Sequence, residues 1–312
     1  MVDEGANWIE ELIEPLRVTP DSQVTLEKDF DPRHRPDSLG KSDAKPLLER
    51  GTELLSDYQA RLAAQDIYGL LVILQGLDGA GKDSTIRHVM SGVNPQGVDV
   101  QAFKGPSTEE LDHDYLWRVE ARLPRRGLIT IFNRSHYEEV LVVRVHPELL
   151  DTQRLPAEAR GDDIWRKRFR QINDWERYLD DNGFRVVKLF LNVSKEEQRL
   201  RFLDRLDVPE KYWKFSMHDV EERRHWDEYQ AAFSEMLSNT STPWAPWYVI
   251  PADRKWLARI CAAAVLVSAL MEIDPRFPSP DGASKEELDA ARAALLTEAD
   301  GSGDANGPDG GR

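Results

Sequence analysis

One cysteine, Cys261, occurs in the 312 residues, which excludes an intramolecular disulfide and a cysteine-built metal site. It lies in the apolar run from Ile260 to Leu270 and reads as core, not nucleophile. Long apolar stretches are missing too. None approaches the ~20 uninterrupted residues that span a bilayer, and the acidic opening from Met1 to Glu14 lacks the basic and apolar regions of a secretion signal. No membrane contact and a cytoplasmic location are the expectation. Bases are outnumbered, 41 Lys and Arg against 56 Asp and Glu, for a formal charge of -15. That balance argues against nucleic-acid partners, which select a basic footprint. A polyanionic ligand would need a locally gathered basic groove.

What is present is an ordinary globular composition, 40% hydrophobic and 31% charged, enough for one main core with extensions. Trp8, Ile9, Leu12, Ile13 and Leu16 fall at helical spacing and form an apolar stripe for packing on this chain or a neighbouring subunit. A polar, proline-containing connection follows from Asp21 to Gly40, and helical periodicity resumes over residues 46–65. Residues 1–56 therefore read as an N-terminal arm and helical extension, and 57–275 as the main domain. Five short apolar runs have strand length: residues 70–75, 98–103, 128–132, 186–193 and 247–250. Helical patterns separate them, with capping-box signatures at Ser107/Glu110 and Ser194/Glu197. Alternation of this kind implies a mainly parallel α/β sheet covered on both faces. A closing helix over 256–273 ends at Pro275. Residues 276–312 read as an acidic, largely disordered tail, with eight acids against three bases from Asp281 onward.

The strongest local signal is the run Gly76-Leu-Asp-Gly-Ala-Gly-Lys82 between a strand and a helical pattern. Glycines allow a tight turn whose backbone N–H groups converge on phosphate, and the next helix adds its positive end. Gly79, Ala80, Gly81, Lys82, Asp83 and Ser84 are the expected phosphate cradle. The hydroxyl that usually follows the lysine and touches Mg²⁺ is replaced by Asp83, so the metal must be held differently. Asp78 is a candidate, because a carboxylate beside bound phosphates can ligate Mg²⁺.

At the end of the third strand comes Asn133-Arg-Ser-His-Tyr-Glu138, on the side of a parallel sheet where ligands bind. Asn133 stands where an acid is common, Glu138 is a nearby carboxylate, and Arg134 can grip phosphate through its planar fork. His136 reads as a hydrogen-bonded structural residue. A third constellation, residues 199–224, mixes Arg199, Arg201, Arg205, Lys211, Lys214, Arg223 and Arg224 with aromatic and acidic residues. It is either a salt-bridged hairpin or a lid, placed at about 205–225, that brings cations to a phosphoryl donor.

Taken in order, GLDGAGKDSTI, DYLWRVEARLPRRG, IFNRSHYEEVLVVRVH, RLDVPEKYWKFSMHDVEERRHWDEY and STPWAPWYVIPAD resemble the polyphosphate kinase 2 family over about residues 57–251. The resemblance implies a P-loop kinase-like three-layer α/β sandwich with a central five-stranded sheet and a helical lid. It implies Mg²⁺-dependent phosphoryl transfer between inorganic polyphosphate and nucleotides. The NRSHYE form is similar to the branch acting on both mono- and diphosphates, hence AMP to ADP and ADP to ATP, with guanine nucleotides left open. Carried over, Asp78, Lys82, Asn133, Arg134 and Glu138 are catalytic, with Asp78 and Glu138 on the metal. Arg134, Arg199, Lys211, Lys214 and Arg223 join the cradle in holding polyphosphate, and Lys104, Arg118, Arg122 and Asn133 hold the nucleotide. A homodimer or homotetramer is implied. The rival readings are an ATP-dependent nucleoside monophosphate kinase, because GLDGAGK also resembles thymidylate kinase loops, and a non-catalytic phosphate-binding module.

Overall fold

A computed structural model describes residues 3–161, 163–278 and 284–301. Five strands, β1 (Gly69–Gln75), β2 (Val98–Ala102), β3 (Ile129–Asn133), β4 (Phe184–Asn192) and β5 (Trp247–Pro251), form one sheet in the order β2-β3-β1-β4-β5. All four pairings are parallel. Each apolar run has become a strand, with ends displaced by one or two residues because pairing, not hydropathy, sets them: Phe184 opens β4 opposite Gly69.

The central strand explains why its run is uninterrupted. Leu70, Val72 and Leu74 pack into one core, Leu71 and Ile73 into the other, so both faces are covered. On the first face lie helices α1 (Asp3–Ile13), α2 (Ala44–Gln65), α3 (Lys82–Val89) and, after the last strand, α7 (Lys255–Ile273). On the second lie α4 (Ile164–Asp181) and α6 (Trp226–Thr240). Between β4 and α6, α5 (Lys195–Asp207) and the short turns of 209–225 stand over the sheet's carboxyl end. By length and apolar composition α7 could cross a membrane, yet most of it is buried inside the protein, against α1, α2 and the sheet.

The N-terminal arm docks on its own chain. Ile9, Leu12, Ile13 and Leu16 are buried in the first core, and Val18 N–H donates to the Trp247 carbonyl at 2.8 Å. The connection beyond it follows the carboxyl end of the sheet, where Asn192 donates to the Phe30 carbonyl (2.8 Å) and Asp253 N–H to the Pro32 carbonyl (3.2 Å). Residues 3–276 thus share one compact unit. The expected capping box at Ser107 forms in both directions. At Ser194 only half of it forms: the hydroxyl accepts from Glu197 N–H, but Asp253 takes the Ser194 N–H because Arg201 engages the Glu197 carboxylate.

A separate unit contains helix α8 (Lys285–Gly301). The helix lies within the stretch read from sequence as an acidic tail. Ser284 and Glu287 form a reciprocal capping box, followed by a run rich in Ala, Leu and Glu, which are good helix formers. The remaining tail, from residue 302, lies outside the described residues.

Lys188, in the middle of β4, is fully buried. Its ammonium donates to Glu176 on α4 (2.5 Å), the Thr240 carbonyl (2.6 Å) and the Tyr137 hydroxyl (3.0 Å), while Tyr137 donates to Glu176 (2.8 Å). Burial pushes the Lys188 ammonium below its ordinary value and Glu176 opposes the shift. Lys188→Met leaves a buried carboxylate unpaired and is expected to cost about 3–5 kcal/mol. Adding Glu176→Leu should recover part of that loss, and chemical denaturation of the two variants checks both statements.

Candidate active site

The first and third motifs meet because β1 and β3 are neighbours. β1 ends at Gln75 and runs into the P-loop, whose turn needs glycine: at Gly76 (φ +151°) a Cβ would meet the Leu191 carbonyl at 2.9 Å, and at Gly79 (φ +84°) the Phe202 ring at 3.0 Å. β3 ends one strand away, at Asn133, and Arg134 follows in a left-handed conformation (φ +63°), its N–H donating to the Leu74 carbonyl (3.1 Å). That turn aims the Arg134 guanidinium back across β1 at the phosphate loop.

There Arg134 Nη2 bonds both carboxylate oxygens of Asp78, at 2.6 and 2.7 Å, and Nη1 reaches Glu138 at 3.3 Å. Burial raises the Asp78 pKa, but Lys82 and Arg134 more than offset it and hold the carboxyl at about 2. Glu138 behaves oppositely: burial pushes it above the usual carboxylate range despite Arg134 and Lys82. With its amide in the orientation that satisfies its hydrogen bonds, Gln75 donates to Glu138 Oε1 (2.9 Å) and accepts from Ser135 N–H (3.1 Å).

Lys82 is buried, and its ammonium bends back onto the loop, donating to the Gly76 carbonyl at 2.6 Å with Asp78 at 3.7 Å. Burial pushes its pKa down and Asp78 pulls it up. The two departures from the usual pattern prove to be partners. Asn133 Nδ2 donates to Asp83 Oδ1 at 2.7 Å, so the carboxylate absent from the strand end is supplied by the first turn of α3. A carboxylate side chain repels phosphate, which moves the Asp83 side chain from the phosphate cradle to the candidate metal donors; only its backbone suits the cradle.

His136 is buried with neither ring nitrogen hydrogen-bonded, and burial lowers its pKa. It packs edge-on to Trp175.

A groove of 790 Å³ opens from the P-loop. It is lined by ten Lys or Arg residues against three Asp, although the chain as a whole carries -15. Lys211 and Lys214, expected on polyphosphate, line it, and so does Lys104, expected on the nucleotide. Arg199 does not: it points from α5 into solvent, paired with Glu196 at 2.6 Å. Arg223 faces the adjoining cavity that also borders Asp78 and Arg134, and donates to Gln198. Arg118 ion-pairs with Glu110 (3.4 Å) and donates to the Lys104 carbonyl (2.7 Å), so it braces the loop after β2. Arg122 is exposed and lines neither groove nor cavity.

Sequence reasoning left out Arg87, Lys255 and Arg259, all on this groove. Arg259 had a signal, a cation inside an otherwise apolar helix. Arg201, read as one more lid cation, is a clamp: Nη1 donates to the Gly79 and Ala80 carbonyls (2.9 and 2.8 Å) and Nη2 to Ala252 (2.5 Å). The stretch 199–224 carries ion pairs and also borders the groove. Arg205 pairs with Asp219 (2.9 Å) and Lys211 with Asp204 (2.5 Å), while all three of Arg205, Lys211 and Lys214 border the groove.

The family model for polyphosphate kinase 2 matches residues 39–278. The chain belongs to the polyphosphate kinase 2 family. It is 49% identical to an ADP-polyphosphate phosphotransferase of Rhodopseudomonas palustris over 251 residues, 80% of this chain and 87% of the relative. It is 45% identical to an AMP/ADP-polyphosphate phosphotransferase of Meiothermus ruber over 271 residues, 86% and 97% of the two chains. The crystal structure of polyphosphate kinase 2 from Arthrobacter aurescens superposes with a TM-score of 0.81 at 40% identity, covering 91% of this chain and 96% of that one. As a polyphosphate kinase 2, the protein is a polyphosphate-dependent nucleotide phosphotransferase.

The implied Mg²⁺ can be tested against the residues present. No cluster of three His, Cys, Asp or Glu that could hold a metal occurs among the described residues. Mg²⁺ beside phosphates needs only one or two carboxylates, the rest of its shell being water and substrate oxygen. Asp78, Glu138 and Asp83 border the loop, and Asn133 Oδ1 is buried without a partner. The donor set therefore fits.

Proposed function

We propose that this polyphosphate kinase 2 transfers the terminal phosphoryl group of inorganic polyphosphate reversibly to AMP and to ADP, giving ADP and ATP. The observation that carries the reading is the groove: ten cations to three acids on an acidic protein favour a highly charged, extended anion. An oxygen of the acceptor's terminal phosphate attacks the end phosphorus in line. A new O–P bond forms as the bridging P–O bond breaks, and the shortened polyphosphate leaves as an anion. The acceptor oxygen is already ionised near neutral pH, so no strong base is required. Lys82 and Arg134 hold the equatorial oxygens, and Asp78 fixes Arg134 by its two hydrogen bonds. When bound, Mg²⁺, held by Asp78 and Glu138, supplies further charge neutralisation. The acceptor's nucleoside belongs in the 210 Å³ cavity beyond Glu139, where Leu111, Tyr115, Leu155 and Ile164 offer apolar contacts and Arg118 a cation. A homodimer or homotetramer belongs to the same reading and is checked by light scattering.

Incubation with AMP, ADP, GMP or GDP, polyphosphate and Mg²⁺, followed by nucleotide chromatography, tests this directly. ADP and ATP should form from AMP with polyphosphate as sole donor. Turnover with ATP alone as donor to AMP, and none with polyphosphate, would instead assign a nucleoside monophosphate kinase. The apparent KM for polyphosphate should rise with ionic strength more steeply than that for AMP, because salt screens a multiply charged ligand most.

A further inference from the structure

A second groove, of 720 Å³, continues the first. Lys255 and Arg259 border both. Beyond them it is lined by Arg254 and, from the connection that follows the N-terminal arm, by Arg35 and Lys41. These five cations face two acids, and both acids are already engaged. Asp253 accepts from the Ser194 N–H and hydroxyl at 2.8 Å each, and Glu197 from Arg201 at 2.8 Å.

At the junction, among the described residues, Arg87 and Arg259 have no ion pair. Arg259 contacts the Ser84 hydroxyl (3.0 Å), its Nε is buried without a partner, and its pKa is lowered by burial and then by the neighbouring Arg87. Among the described residues neither arginine has a carboxylate within ion-pair distance, and Lys41 and Lys255 have none either. Two like charges held together without an acid are repulsive until an anion bridges them. Ser84 lies two residues past the P-loop lysine, so this uncompensated pair begins where the phosphate cradle ends. Separate phosphate-sized ligands would not need a continuous path. A linear polyanion would.

We propose that this second groove is a distal site for the donor chain, in which polyphosphate leaving the P-loop passes Arg87 and Arg259 and is held by Arg254, Arg35 and Lys41, so that the N-terminal connection reads donor length. The proposal rests on polyphosphate being the donor. Its structural basis is the path of residues 30–33, which ties this connection to β4 and to the turn after β5 by the Asn192–Phe30, Asp253–Pro32 and Arg254–Arg33 hydrogen bonds. A surface segment outside the sheet is thereby fixed at the rim of the site. Short donors end before reaching it and gain nothing from it.

The test is Arg35→Ala/Lys41→Ala, two exposed residues, assayed with tripolyphosphate and with long-chain polyphosphate. The KM for the long donor should rise about three- to tenfold, as expected for two exposed ion contacts. With tripolyphosphate, KM and kcat should match the wild type, and the melting temperature should be unchanged. Equal effects on both donors, or none on either, would overturn the distal site. Calorimetric titration of long-chain polyphosphate without nucleotide separates this from the activity itself. If the wild-type protein turns over no polyphosphate, the proposed reaction falls. The distal site then stands or falls on whether the double variant binds the long chain more weakly.

Discussion

Lys82→Met is expected to lower kcat about a hundred- to a thousandfold, as removal of a preorganised charge at a transferring group does, while the protein stays folded. The methionine keeps the buried stem, which matters because Lys82 lies buried inside the loop. Without ligand, its ammonium is satisfied by the Gly76 carbonyl and approaches Asp78. Phosphate must draw it away from a hydrogen bond of 2.6 Å, so its charge is of most use where the oxygens are most negative, in the transition state. The loss should accordingly appear in kcat more than in nucleotide KM. Steady-state kinetics beside a circular dichroism melt checks this; turnover within tenfold of wild type would remove Lys82 from the catalytic set.

Asp78→Asn should cost turnover on the same scale, about a hundredfold or more, for a different reason. The carboxylate fixes the Arg134 fork and is one of the acids that fits a metal, and an amide of the same shape does neither well. Nucleotide affinity should fall far less than kcat; an equal fall in both would mean that Asp78 only builds the binding site. Stability gives a second readout. The folded carboxyl is held at about 2, below its ordinary value of 3.8. A depressed acid contributes stability that is complete above the unfolded pKa and disappears as pH falls through the folded one. The wild-type advantage over Asp78→Asn in denaturation should therefore be full near neutrality, shrink below about pH 4, and be gone near pH 2. Asp78 is partly solvent-exposed, which keeps the difference small.

β1, β3, β4 and β5 were legible because parallel strands covered on both faces must be largely apolar, which does not hold for the partly exposed edge strand β2, and the phosphate loop was legible because its glycines are demanded by backbone geometry. The spatial partners were not. Asp83 and Asn133 are fifty residues apart, and each looks like a lost metal ligand until β3 is set beside β1 and the two hydrogen-bond. Arg199 stands in one basic stretch with Arg201 and Arg205 and, alone of the three, is expected from sequence to hold polyphosphate. On a helix, residues four apart share a face and residues two apart do not; Arg201 and Arg205 turn toward the loop and Arg199 away from it. Arg122 likewise lies exposed and away from the cavities, while Arg87 from α3 and Lys255 and Arg259 from α7 gather at the groove. In the acidic tail, net composition hid a local helix signal at Ser284 and Glu287.

The Arg201 clamp has a mechanical consequence. One guanidinium ties the phosphate loop's carbonyls to Ala252, just past the last strand, and Gln198 adds a bond to the Asp78 carbonyl at 2.8 Å. The first two turns of α5 are therefore tied to the floor of the site. Any closing movement is confined to the segment beyond them, from about Val208 to His225, which three side-chain contacts hold to α5: Arg205–Asp219, Lys211–Asp204 and Arg223–Gln198. The shape of the phosphate loop is thus set by Arg201 and Gln198 and not by the segment at 208–225.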